Sequence, residues 1–129
     1  MNDSQLYRQE ILNHYRNPQN FGKLKHADLK TEKINELCGD EIVLQLKLSK
    51  GKIKNVKFTG TGCALSVASA SLFTESLKGK TLTQAKNITA SQVIKNLGIQ
   101  VGPARRKCVL LVYDALQEIL KKRTGKRRA

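Results

Sequence analysis

Between Glu41 and Leu48 the chain alternates, with Ile42, Leu44, Leu46 and Leu48 set between Glu41, Val43, Gln45 and Lys47. Successive side chains of a β-strand point to opposite faces, so this period of two predicts a strand with one buried face. Ser49-Lys50-Gly51-Lys52 then makes a turn, and Ile53, Val56 and Phe58 continue as a returning strand to about Thr59. Two such segments joined by a short Gly-containing turn form a hairpin. Leu29 to Asn35 is a candidate edge strand beside it.

The period changes after Gly60-Thr61-Gly62. From Cys63 to Lys78 the residues become small, and Ala64, Ala68 and Ser71 fall at i, i+4 and i+7. That pattern predicts a helix with a face that permits close backbone approach, ended by Gly79. An N-terminal helix runs to Tyr15 with Ser4 as its expected N-cap, and carries Tyr7, Ile11, His14 and Tyr15 at helical spacing. Pro18 stops it, and Asn17 to Gly22 is dense enough in turn formers to read as an ordered loop. Thr81 to Lys86 and Ala90 to Leu97 predict two short helices. Pro103 begins one final helix, whose stripe of Val109, Val112, Leu116, Ile119 and Leu120 ends near Lys122. The expected fold class is α+β, a small antiparallel sheet of about three strands packed against helices.

A chain of 129 residues buries roughly 65–70% of the surface that its unfolded form exposes, enough for one core and too little for two. We therefore expect a single domain over 1–129, with a basic tail at 121–129 that reads as a solvated, frayed end. The formal charge is +14, and six of the last nine residues are Lys or Arg. Such a field attracts nucleic acid, anionic membranes and acidic proteins alike. The longest apolar stretch, Val109 to Tyr113, is far below the ~20 residues that cross a bilayer, and Met1 to Gln5 does not begin a secretory signal. Six aromatic residues and no tryptophan offer few stacking platforms, which argues against nucleic acid as the partner.

Three cysteines, Cys38, Cys63 and Cys108, cannot all pair internally, and gaps of 25 and 45 residues match no small disulfide scaffold. A reduced, cytoplasmic setting fits them. Cys38 lies in a Cys-Gly-Asp turn before a strand, Cys63 follows Gly-Thr-Gly at a helix N-terminus, and Cys108 lies in the first turns of the final helix. With Asp40 they make a four-donor set that suits tetrahedral Zn²⁺ or an iron–sulfur cluster with one labile corner. Spacing alone is equally compatible with three independent core cysteines. Gly39 and Gly62 tilt the balance toward tight, accessible turns.

At these residues the chain resembles the NifU-like family of iron–sulfur cluster assembly proteins, the IscU and SufU scaffolds. The resemblance runs from about Leu6 to Leu120. It is carried by Tyr15-Arg16-Asn17-Pro18-Gln19-Asn20, Cys38-Gly39-Asp40, Gly60-Thr61-Gly62-Cys63-Ala64-Leu65-Ser66, Ala68-Ser69-Ala70-Ser71, Lys78-Gly79-Lys80 and Pro103-Ala104-Arg105-Arg106-Lys107-Cys108. It implies the SufE/NifU-like fold and a metal site of Cys38, Asp40, Cys63 and Cys108 holding Zn²⁺, iron or a [2Fe–2S] cluster. It also implies a cysteine desulfurase as sulfur donor, and apo iron–sulfur proteins or other assembly factors as further partners.

IscU-type members carry His before the last cysteine and a Leu-Pro-Pro-Val-Lys segment upstream. Here Lys107 and Val101-Gly102-Pro103-Ala104-Arg105 match the SufU type, while the 45-residue gap is near IscU length. A protonated lysine has no lone pair to offer a metal. Lys107, with Arg105 and Arg106 behind it, is therefore expected to balance the charge of three thiolates and a carboxylate. The SufU resemblance makes Cys38 the sulfur acceptor in a zinc-dependent sulfurtransferase. The IscU alternative is a [2Fe–2S] scaffold with Cys108 in that role, and a basic nucleic-acid-binding module is the more distant reading.

Other residues invite plainer readings. His14 reads as a satisfied, partly buried histidine and His26 as a loop residue. Tyr7, Tyr15 and Phe21 read as a clamp on the N-terminal segment. Gly60-Thr61-Gly62 lacks the GxxxxGK[ST] pattern of a phosphate loop.

Overall fold

The computed structural model describes the backbone of residues 3–36 and 39–128 and the side chains of 5–36 and 39–121. Its order is α1 (Asp3–Arg16), β1 (Leu29–Asn35), β2 (Asp40–Ser49), β3 (Lys52–Thr61), α2 (Ala64–Leu77), α3 (Leu82–Lys86), α4 (Ala90–Asn96), α5 (Pro103–Val109) and α6 (Leu111–Arg128). The sheet is antiparallel in the order β1-β2-β3.

The alternation in β2 buries Ile42, Leu44 and Leu46 against the helices. In β3 the buried residues Ile53, Val56 and Phe58 are three and then two apart, which breaks strict alternation. A register shift between Lys47 and Leu48 accounts for it: Lys47 faces Asn55 and Leu48 faces Ile53, so Lys54 is the extra residue of a bulge. The bulge restores the phase and keeps all three on the core side.

Helix α2 lies at the centre of the helical layer, touching α1, β3, α4, α5 and α6. Its buried Ala68, Ser69, Ala70 and Ser71 let these neighbours approach closely, while Phe73 and Leu77 fill the space below. Helix α6 covers β1 and β2 beside it. Thr81 with Gln84 and Thr89 with Gln92 form reciprocal capping boxes that start α3 and α4.

Three expectations change. Helix α1 begins at Asp3, so Ser4 lies inside it and is not its cap. The single final helix is two, α5 and α6, separated at Leu110. There the buried Ser69 hydroxyl donates to the Val109 carbonyl at 2.7 Å, and a side chain inserted at a helix carbonyl is a recognised cause of a break. Finally, α6 continues past Lys122 to Arg128. The apolar stripe ends at Leu120, but Lys and Arg are good helix formers and extend the backbone beyond the packed face.

The N-terminal segment is pinned as its turn residues suggest. Asn20, at φ +65°, donates to Thr74 Oγ1 at 3.0 Å and to Glu75 Oε2 at 3.1 Å, and its carbonyl accepts the Phe58 N–H. Phe21 meets Phe58 edge-on. Tyr7 lies over Gly98, where a Cβ would stand 2.3 Å from its ring, so only glycine fits.

Candidate metal centre

Asp40 opens β2 opposite Asn35 in the register and is 5% exposed. Cys63 is the N-cap of α2, in extended backbone, with no side-chain cap bond. Cys108 lies in α5 and is also 5% exposed. Both sulfurs are thiols. A carboxylate oxygen of Asp40 and the sulfurs of Cys63 and Cys108 lie within 4.8 Å of one another. Cys38, the fourth expected donor, falls outside the described residues.

The donor set fits a metal on its own chemistry. Among the described residues Asp40 Oδ2 is buried without a hydrogen-bond partner, whereas buried carboxylate oxygens are almost always satisfied. A cation in front of it would supply the missing counter-charge. An ion equidistant from three atoms no more than 4.8 Å apart lies no more than about 2.8 Å from each. A contraction of at most about 0.5–0.8 Å per ligand therefore reaches the ~2.3 Å and ~2.0–2.2 Å of Zn–S and Zn–O bonds. Gly62 makes the approach possible, since a Cβ there would stand 3.1 Å from Asp40 Cγ and 2.9 Å from Ser66 Oγ.

The three donors line an open cleft with Gly39, Gly62, Ala104 and Arg105. Of the expected charge-balancing cations, Arg105 is on the cleft wall, while Arg106 and Lys107 are exposed and not among the described lining residues. Asn35, which sequence reasoning passed over, donates its side-chain amide to Cys108 Sγ at 3.9 Å. Its main-chain carbonyl accepts the Gly39 N–H at 2.8 Å. The available signal was its place at the end of an edge strand just before Cys-Gly-Asp.

Neither histidine joins the cluster. His14 Nδ1 shares a 2.7 Å hydrogen bond with Ser71 Oγ, which also accepts the Gln19 N–H. Ser71 is eight residues along α2 from Cys63, about 12 Å of helix. His26 is exposed.

The model of the NifU-like N-terminal domain matches residues 6–129. The chain belongs to this family. Among its relatives is the zinc-dependent sulfurtransferase SufU of Bacillus subtilis, 34% identical over 139 aligned positions that cover 93% of this chain and 92% of the relative. The iron–sulfur cluster assembly scaffold protein IscU of Azotobacter vinelandii is 36% identical over 115 positions, covering 86% and 88%. A crystal structure described as an iron–sulfur cluster assembly scaffold for the SUF system, from Fervidobacterium islandicum, superposes with a TM-score of 0.73 at 30% identity, covering 90% of this chain and 97% of that one. Among the described residues no helix is long and apolar enough to cross a membrane.

Proposed function

We propose that the protein accepts sulfur for iron–sulfur cluster assembly in the cytoplasm, taking it from a cysteine desulfurase at a site made of Cys38, Asp40, Cys63 and Cys108. One observation carries the proposal: a buried carboxylate oxygen of Asp40 without a hydrogen-bond partner among the described residues, beside the thiols of Cys63 and Cys108. The likeness to a zinc-dependent sulfurtransferase and the Lys107-Cys108 pair support the same assignment.

Zn²⁺ held by the four residues would keep the thiols in their thiolate form. Arg105 on the cleft wall, and Lys107 beside Cys108 in sequence, offset the negative charge of three thiolates and a carboxylate. Cys38 is the acceptor. Its thiolate attacks the outer sulfur of the desulfurase persulfide, a new S–S bond forms on Cys38, and the desulfurase cysteine leaves as a thiolate. One sulfur atom moves, its proton moves with it, and no external oxidant or reductant is consumed. The persulfide then serves apo iron–sulfur proteins or other assembly factors.

A second reading, a scaffold on which a [2Fe–2S] cluster is built, is favoured by the 45-residue spacing from Cys63 to Cys108 and by the IscU relatives. Metal analysis and mass spectrometry distinguish the two. The sulfurtransferase retains near-stoichiometric zinc, loses it in Cys63→Ser, and after incubation with desulfurase and cysteine gains one sulfur atom that Cys38→Ala abolishes. A folded wild-type chain that holds no metal and gains no sulfur overturns the proposal. Transferable visible absorption after reconstitution with iron and sulfide favours the scaffold.

A further inference from the structure

Gln45 lies on the sheet face turned away from the helices, yet it is 8% exposed. The loop after α1 covers it, with the Leu24 N–H donating to Gln45 Oε1 at 2.9 Å. The register places Lys30 on one side of Gln45 and Lys57 on the other. Neighbouring strands are about 4.8 Å apart, so the two lysines rise from one face with their Cα atoms about 10 Å apart. The stem of Lys57 runs past Gly22 on the covering loop. Lys23 and Lys25, both exposed, flank Leu24 on that loop. Four lysines therefore stand on the strands and the loop that pack around one buried amide.

Among the described residues none of these four lysines has an ion-pair partner. Their neighbours differ: Lys47 meets Asp28 at 3.7 Å, and Lys33 meets Glu118 at 3.3 Å. Of the acids beside the outward face, Glu32 and Glu41 stand in the rows nearer Asp40, and Asp28 on the opposite side is engaged by Lys47 and by the Leu48 N–H. Four like charges held together repel, and an anion laid across them removes that repulsion.

We propose that this lysine face docks an acidic stretch of polypeptide. Carboxylates at alternate positions of an extended chain are about 6.6 Å apart, a spacing that can serve both Lys30 and Lys57 and the lysines of the loop. A second copy of this chain is the wrong occupant, because at +14 it would bring more positive charge to the face. Nucleic acid is disfavoured because the patch contains no arginine, and Phe21, the adjacent exposed aromatic, already has its ring engaged with Phe58. Gln45 is five residues along β2 from Asp40, about 17 Å, so a segment bound here leaves the metal cleft open. The proposal does not depend on the metal site.

The test is anisotropy of a fluorescein-labelled octaglutamate peptide, titrated with the full chain at low and high salt. Wild type binds at low salt and weakens as salt rises. Lys30→Glu with Lys57→Glu lowers affinity about tenfold, the sum of two lost attractions and two gained repulsions. Lys86→Glu with Lys95→Glu makes the same change in net charge on α3 and α4, and changes affinity less than about threefold. Should the first variant not fold, Lys23→Ala with Lys25→Ala tests the same face from the loop, with an expected loss of about threefold. Equal losses in both glutamate variants, or no peptide binding at low salt, overturn the proposal. So does tighter, equally variant-sensitive binding of single-stranded DNA of matched charge, which would assign the face to nucleic acid.

Discussion

Asp40→Asn should change stability in opposite directions with and without metal. The residue is 5% exposed and one carboxylate oxygen has no partner among the described residues. A buried, unsatisfied polar group costs about 1–3 kcal/mol, and more when charged. Asparagine keeps the volume and removes the charge, but its amide also needs partners, so the gain is taken as about 1 kcal/mol. In a domain of this size that raises the melting temperature of metal-free protein by about 3–5 °C.

Zinc reverses the sign. A neutral amide oxygen is a poorer ligand than a carboxylate, and the loss in affinity should at least match the ~100-fold upper range for outer-shell partners. A 100-fold weaker site withholds about 2.7 kcal/mol of linkage stabilisation when zinc saturates both proteins. Set against the gain of about 1 kcal/mol, the loaded variant is about 1.7 kcal/mol less stable than loaded wild type. Thermal melts followed by circular dichroism, in chelator and in excess zinc, read both values. A lower melting temperature in chelator would mean that the carboxylate has a structural partner. A higher one in both conditions would mean that the metal does not engage Asp40.

Asn35→Ala removes the amide donor to Cys108 Sγ, and zinc affinity measured by chelator competition should fall about tenfold while the fold is retained. Gly98→Ala puts a Cβ 2.3 Å from the Tyr7 ring at φ +69°, so urea unfolding should show a loss of about 2–4 kcal/mol. Adding Tyr7→Ala should recover the steric part only, leaving the double variant less destabilised than the sum of the singles. Burial holds the Asp114 carboxyl above its ordinary 3.8, against a smaller lowering by Lys33. A raised acid favours the folded state below its unfolded pKa and loses that contribution as pH rises through the folded value. Asp114→Asn should therefore stabilise the protein at neutral pH, with the advantage vanishing below about pH 3.8.

The three strands, the hairpin, the small-residue helix and the Pro103 helix start are legible because each rests on a local period or a local cap. Features set by distant residues are not. Nothing near Leu110 signals a break, because its cause is Ser69, forty residues away. Gln45 reads as an outward position of its strand and is buried by a loop 21 residues earlier in the chain. The irregular spacing of Ile53, Val56 and Phe58 needs the partner strand's register to make sense. For the site, residue types and motifs name the donors. The burial of Asp40, the cleft position of Arg105 and the reach of Asn35 follow only from tertiary packing.

That packing also links the small residues of α2 to the metal centre. Helix α2 starts at Cys63, and six residues on, about 9 Å along the axis, Ser69 holds the Val109 carbonyl. Val109 follows Cys108 directly, so this bond registers the second thiol against the helix that carries the first. It is short, buried and available only where α5 lies against α2. A larger residue at Ser69 would push α5 outward and widen the separation between the two sulfurs while leaving every candidate donor in place. Ser69 therefore helps to set the span between the two thiols, and no count of residues between Cys63 and Cys108 could have supplied that distance.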